Sequence, residues 1–385
     1  MLTSSLSRSA GGVYDAVRWL ARSLEAPHHT VEVFGLRDAH TDADQEGWGR
    51  LSVHVFQTWG PSAFGYAPDM AQALLNANLD LIHLHGLWMY PSMASGQWAA
   101  RTRRPVMITP HGMLDPWARR NSYWKKTLAG FLYESRNLRN AACFQAGSLS
   151  EYKAIRETGF GNPIAILPNG VHMAELDSAR PEPPWAVSLG PEAKVLLYLG
   201  RLHPKKGLDL LLDAWKQSMQ GRDTDWHVVI AGVAADDYEQ VLRARRDELG
   251  LSQSVHFIGP QYHDAKLACY RNADAMILPS YSEGVPMVVL DGWAHGLPVL
   301  MTPECNLPIG FERDAAIRVE TAIDSVRDGL LRLFAMSDDE RSSMGQRARQ
   351  LAQDDFSWDA IASQVGGVYR WLLGGGQRPD CVIVE

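Results

Sequence analysis

The sequence has little cysteine, no long apolar run and none of the common short phosphate signatures. Four cysteines occur in 385 residues (Cys143, Cys269, Cys305 and Cys381), and no two form a Cys-x-x-Cys pair. They can build neither a zinc knuckle nor a disulfide framework, so a reducing cytoplasm is the simplest compartment. No stretch reaches the roughly 18 consecutive apolar residues that a membrane-spanning helix needs. The opening twelve residues lack a charged region followed by an apolar core, so export by a signal peptide is not expected. The first glycine turn, Gly11-Gly12, has neither the Gly-x-Gly-x-x-Gly fingerprint nor Gly-Lys-Ser/Thr, which disfavours dehydrogenases and nucleoside triphosphatases.

An excess of basic side chains is also missing. Lys and Arg number 37 against 44 Asp and Glu, a formal charge of −7 that argues against a dedicated nucleic-acid binder. The balance is uneven, with +2 over residues 1–180 and −9 over residues 181–385. Two domains with different partners are expected.

What is present is 46% hydrophobic residues in a chain long enough for two cores of ordinary size. Short β-branched runs alternate with longer amphipathic stretches, which predicts parallel sheets covered by helices. Strands are expected near 30–36, 51–57, 79–85, 105–109, 142–147 and 163–168, then near 194–199, 226–231, 254–259, 274–279, 297–301 and 315–318. Residues 2–6 supply only the end of a first strand, so the start reads as several residues short of a full doubly wound domain. The proline-rich stretch between the sets blocks helix and central strand alike. The expected division is a domain over 1–178, a linker over 179–190, a second domain over 191–355 and a closing helix over 356–373. The tail beginning Gly374-Gly-Gly reads as frayed, and Cys381-Val-Ile-Val is too short to interpret.

Chemistry concentrates where strands run into glycine turns. After Leu278-Pro279 come Ser-Tyr-Ser-Glu283-Gly284-Val285-Pro286, then a helix stopped by Gly296. Pro286 is expected in the first helical turn. Such a helix start offers free amides and a positive dipole end, an anion site. Glu283 before it and Asp291 inside it suit a ligand with hydroxyls at both ends and a diphosphate between. Taken singly, Glu283 reads better as a cap-region acid and Asp291 as a solvated helix residue; the whole arrangement of strand, Ser-Glu-Gly loop and Pro-started helix favours a ligand site. Arg201 and Lys206 leave the turn after the same domain's first strand, Leu197-Tyr-Leu-Gly-Arg, where ligands bind in open α/β sheets. Two fixed cations there can neutralise a leaving diphosphate. His111-Gly112 ends the strand Val106-Met-Ile-Thr, and a histidine at that end faces a cleft. His83 and His85 are as readily structural. Gly11-Gly12 would let backbone approach a ligand closely.

On these residues the chain resembles the retaining glycosyltransferases of family four, through the Gly-Gly turn, His111-Gly112, Pro168-Asn-Gly-Val, Gly200-Arg201…Lys206-Gly207, Glu283-Gly-Val-Pro and the Phe356-Ser-Trp helix. The resemblance implies two Rossmann-like doubly wound domains facing across a cleft, the GT-B arrangement, with the acceptor held by the first domain, the donor by the second, and the final helix crossing back onto the first. It implies a hexosyltransferase-type, retaining transfer from a nucleotide-diphosphate sugar to a glycan or lipid-linked acceptor, in polysaccharide biosynthesis. Arg201 and Lys206 would hold the diphosphate. Glu283, Gly284, Val285, Pro286 and Asp291 would hold the donor sugar, phosphates and ribose, with Gly12 nearby and His111 at the sugar. His111, Glu283, Arg201 and Lys206 are the expected catalytic set, acting by stabilising the leaving group. No Asp-x-Asp stands where a metal-dependent transferase needs it, so neither a metal nor a cofactor is expected. Two positions depart from the family: Asp291 stands where a glutamate is usual, and His172 where aspartate is common. A phosphorylase or epimerase of the same architecture, or a non-catalytic sugar-nucleotide binder, are the alternatives.

Residues 101–140 hold nine basic and two acidic side chains, among them Trp117, Tyr123, Trp124, Phe131, Leu132 and Tyr133. Such a face suits peripheral contact with an anionic membrane or a lipid-diphosphate acceptor. A solvated helix whose aromatics pack inward fits the same pattern equally well.

Overall fold

The computed structural model describes all residues except 26–28, 62, 116–122, 177–179, 191, 223, 235–236 and 385, and the backbone alone of 123–125. Its strands are β1 (Leu2–Thr3), β2 (Glu32–Leu36), β3 (Ser52–Phe56), β4 (Ile82–His85), β5 (Val106–Thr109), β6 (Cys143–Ala146) and β7 (Ile164–Ile166), then β8 (Lys194–Leu199), β9 (Trp226–Ala231), β10 (Val255–Gly259), β11 (Ala275–Leu278), β12 (Val299–Met301), β13 (Ala316–Arg318) and β14 (Val382–Ile383). All twelve strands expected from the sequence are present. Apart from the edge strands β3 and β10, their aliphatic runs are buried on both faces, as parallel strands between helix layers must be.

The chain forms two compact units, Met1–Gly170 with Trp358–Glu385, and Val171–Ser357. In the first, the sheet runs β14-β7-β6-β5-β4-β1-β2-β3, and in the second β10-β9-β8-β11-β12-β13. Numbered within each unit, both follow the doubly wound order 3-2-1-4-5-6, so each has a switch point between its first and fourth strands. These are the two α/β domains of the GT-B fold.

Two details differ from expectation, and a third agrees with it. The proline-rich stretch after residue 179 is not where the units divide. Trp185 is buried in the second unit's core, Arg271 donates to the Glu175 and Leu176 carbonyls at 2.7 and 2.9 Å, and Asn272 Nδ2 donates to the Pro181 carbonyl at 2.8 Å. These contacts fasten the segment to the second unit, and the change of unit falls at Gly170–Val171. The closing helix Trp358–Leu372 does return to the first unit, as the family resemblance implies, and packs on the helix Gly12–Leu24 through Ile361, Val365 and Val368. A Cβ on Gly170 would enter the Trp358 ring, which explains the glycine in Pro168-Asn-Gly. Finally, the supposed tail returns as β14, antiparallel to β7 on the edge of the sheet.

Candidate functional site

Each unit carries its chemistry at the carboxyl edge of its sheet. In the second unit β8 ends at Gly200, and Arg201 is exposed with no ion pair among the described residues. The buried Tyr198 hydroxyl donates to the Arg201 carbonyl at 2.8 Å and pins that backbone. The turn Pro204–Lys206 closes on Gly207 at φ +69, where a Cβ would strike the Pro279 carbonyl oxygen. That close approach brings Lys206 beside the loop after β11. Lys206 Nζ lies 2.5 Å from Glu283 Oε1, with the two side chains only 11% and 8% exposed.

Glu283 is held on every side. Ser280 Oγ donates to the same Oε1 at 2.6 Å, and the Glu283 amide donates to the Glu304 carbonyl at 3.1 Å. Asn306, in the left-handed region at φ +55, donates through Nδ2 to the Glu283 and Gly284 carbonyls at 2.7 and 3.0 Å. The amides of Gly284 and Val285 have no acceptor among the described residues. Pro286 is the N-cap of the helix Met287–Ala294 and not part of its first turn, because ψ is 106°. The result is an oriented carboxylate, a nearby ammonium and two open amides before a helix start, which can bind an anion bearing hydroxyl groups.

Asp291 does not join that group. Its Oδ2 accepts from Lys266 Nζ at 2.8 Å and from the buried Tyr270 hydroxyl at 3.4 Å. Tyr270 stacks on His295 with centroids 4.9 Å apart, and His295 Nδ1 meets the Asp291 carbonyl at 2.7 Å. The short aspartate therefore sits in a set with Lys266, Tyr270 and His295 that sequence reading missed.

In the first unit Gly12 opens the helix Gly12–Leu24, and nothing lies within 4 Å of a Cβ placed on Gly11 or Gly12. The backbone there is open to a ligand, as expected of the turn. His111 follows β5 in the left-handed region at φ +51, and the next amide, Gly112, donates to Glu151 Oε1 at 2.6 Å. Glu151 Oε2 also accepts the Gly147 amide at 2.7 Å, so one buried carboxylate ties two loops. His83 and His85, at 1% and 2% exposure, stand beside His111. The His85 Nδ1 and His111 Nε2 atoms are 3.1 Å apart, and the His83 and His85 ring centroids 4.1 Å. Burial lowers all three imidazoles, His111 to about 4. They are neutral near pH 7.

Of the basic stretch, residues 116–122, including Trp117, lie outside the described residues, as do the side chains of Tyr123 and Trp124. Phe131 and Leu132 are exposed, at 88% and 66%. Tyr133 instead turns inward and donates to the Trp88 carbonyl at 2.7 Å. Among the described residues, no helix is long and apolar enough to cross a membrane.

Comparison with known proteins adds the family. A model described as glycosyl transferases group 1 matches residues 180–351, and one described as glycosyl transferase 4-like domain matches residues 11–170. The chain belongs to the group 1 glycosyltransferases. It is 34% identical over 199 residues to a D-inositol 3-phosphate glycosyltransferase of Corynebacterium aurimucosum, an alignment covering 49% of this chain and 45% of that protein. The chain thus spans about half the length of the first curated relatives it matches. A Jonesia denitrificans protein of the same description is 26% identical across 94% of this chain and 91% of its own length. In fold, the chain resembles the Anabaena protein HepE in complex with UDP, with a TM-score of 0.72 at 19% identity over 96% of this chain and 99% of that one. A sucrose-phosphate synthase of Thermosynechococcus elongatus gives 0.66 at 22% identity, covering 97% and 98%.

Proposed function

We propose that this group 1 glycosyltransferase moves a sugar from a nucleotide-diphosphate sugar to a hydroxyl acceptor, retaining anomeric configuration and needing no metal. The observation that carries the reading is the Lys206–Glu283 pair beside the Gly284 and Val285 amides, with Arg201 exposed on the neighbouring turn; among the described residues those amides have no acceptor and Arg201 no ion pair. Two cations and a helix start can stabilise a departing diphosphate electrostatically, so the leaving group needs no divalent ion. In this reading Glu283 accepts hydrogen bonds from sugar hydroxyls, and His111 contacts a sugar hydroxyl at the edge of its own sheet. Structures of similar fold hold UDP, UDP-glucose and glucose, which supports the donor class.

The test is calorimetric titration with UDP, GDP, ADP and dTDP, with and without chelator. Selective, chelator-insensitive binding to one diphosphate, lost in Arg201→Ala or Lys206→Ala, is expected. Turnover of the corresponding nucleotide sugar then separates a transferase from a non-catalytic binder, and a product of unchanged anomeric configuration establishes retention. Dependence on free phosphate without a nucleotide donor would identify a phosphorylase.

Two acceptor readings rest on different observations. A glycan or lipid-linked acceptor in polysaccharide biosynthesis is favoured by exposed Phe131 and Leu132 and by a nearby cavity of about 660 Å³ bordered by Arg103, Arg104 and Arg136. A phosphorylated cyclitol is favoured by the description of the curated relatives. Flotation with anionic liposomes at low salt is expected to retain the wild type and release Phe131→Ser/Leu132→Ser. No flotation, together with transfer to inositol 3-phosphate, would settle the choice for the cyclitol.

A further inference from the structure

Two runs of hydrogen bonds at the carboxyl edge of the first sheet determine which imidazole nitrogens carry protons. Gln145 Nε2 donates to the Leu167 carbonyl at 3.0 Å, which leaves its Oε1 to accept from Thr109 Oγ1 at 3.2 Å. With its single proton used there, the hydroxyl can only accept from His83 Nε2 at 2.6 Å. His83 is therefore protonated at Nε2, and its Nδ1 accepts the Tyr369 proton at 2.6 Å.

The second run starts from a thioether. Met1 Sδ lies 3.3 Å from His85 Nε2 and has no proton to give, so Nε2 donates and His85 Nδ1 keeps its lone pair. That lone pair faces His111 Nε2 at 3.1 Å; the ring planes are inclined by only 27° and the centroids lie 5.3 Å apart, the separation of two rings that meet end to end through an N–H···N bond. The proton between them belongs to His111 Nε2. His111 Nδ1 is then a bare acceptor with no protein partner among the described residues.

We propose that His85 sets the tautomer of His111, so that His111 offers its Nδ1 lone pair to a substrate hydroxyl and acts as hydrogen-bond acceptor, not donor. His85 is a positioning residue, because it touches the His111 ring and not the substrate. That the hydroxyl belongs to a sugar rests on the glycosyl-transfer reading; the tautomer does not. The left-handed backbone at His111, held through the Gly112 amide by Glu151, fixes where the imidazole starts. A sugar methylated on the contacted oxygen has no proton to donate and would be refused, whereas a donor-type histidine would tolerate it.

Long-range ¹H–¹⁵N correlation spectra of the full chain with labelled histidine test this directly, with His111→Asn identifying the signal. The ligand-free wild type should show His111 protonated at Nε2 and bare at Nδ1; a proton on Nδ1 overturns the proposal without recourse to any variant. His85→Leu should show mixed tautomers and about tenfold lower kcat/KM, and His85→Asn, whose Oδ1 stands in for Nδ1, should restore both. An unchanged tautomer in His85→Leu would remove the role of His85. With UDP-glucose bound, as verified by calorimetry, the Nδ1 signal should move as its lone pair becomes engaged. An unmoved signal at saturation overturns the acceptor role. Failure of UDP-glucose and the other nucleotides to bind would sink the transferase reading instead, and the ligand-free spectrum would still decide the tautomer.

Discussion

At the carboxyl edge of the first sheet stand the buried His83 and His85 with the half-buried His111, all neutral; at the same edge of the second stand Lys206, Glu283 and the exposed Arg201. Both sheets follow one strand order, so topology supplies each with the same crevice. On the proposed reading, side chains alone make one edge a place for uncharged hydroxyls and the other a place for an anion. The lesson is that a shared fold fixes where ligands arrive, and a few residues after β5, β8 and β11 fix which ligands those are.

The largest test of this contrast lies on the charged edge. Lys206→Ala leaves the Glu283 carboxylate 8% exposed and without its cation. A loss of about 3–5 kcal/mol in stability is expected, read by urea unfolding, together with loss of nucleotide binding. Lys206→Met combined with Glu283→Gln should regain most of that stability and none of the binding. If the double variant bound nucleotide normally, the pair would have only a structural role.

The neutral edge should fail on acidification. Burial lowers His83, His85 and His111 below the ordinary histidine value, His111 to about 4, so the unfolded chain binds protons first as pH falls. Their contribution is present above about pH 6.5 and is lost as pH falls from there toward 4, at about 1.4 kcal/mol per pH unit for each histidine once the unfolded form is protonated. Thermal melts from pH 7 to pH 4 should show this slope for the wild type and a shallower one for His83→Gln. Equal slopes would mean that His83 takes no part.

Asp291 should give the smallest effect. Its pair with Lys266 is 23% and 38% exposed on the two side chains, so Asp291→Asn should cost no more than about 1 kcal/mol. Because the carboxylate is already engaged by Lys266 and Tyr270, donor affinity is expected to fall by less than tenfold. Equal affinity in the two proteins would exclude Asp291 from donor binding, and a large loss would mean that Lys266 gives way to the ligand.

The strands were legible because parallel sheets need unbroken aliphatic runs, and Val195–Leu199 or Met276–Leu278 can hardly be anything else. The edge residues were legible because Gly200, Gly207 and Gly112 mark the turns that follow those runs. The unit boundary was not. Prolines do mark the segment after residue 180, but Arg271 and Asn272, some ninety residues away, bind it to the second unit. Lys266 was equally invisible as the partner of Asp291, being 25 residues distant on another helix. The histidine protonation pattern depends on Gln145, Thr109 and Met1, which only the folded sheet brings within reach. Asn306 gave a faint signal, since asparagine tolerates the left-handed conformation it adopts.

The return of the chain at Trp358 also governs how the protein is made. Residues 1–170 leave the ribosome long before the helix that covers Ala16, Val17 and Leu20 exists, because all of Val171–Ser357 must be synthesised in between. The second unit is continuous and can fold as it emerges, whereas the first waits with an apolar flank uncovered until the last residues arrive. Synthesis of Trp358–Glu385 thus completes the unit that Met1–Gly170 leaves open, and a ribosome that stalls after Ser357 would release a continuous second unit attached to an unfinished partner.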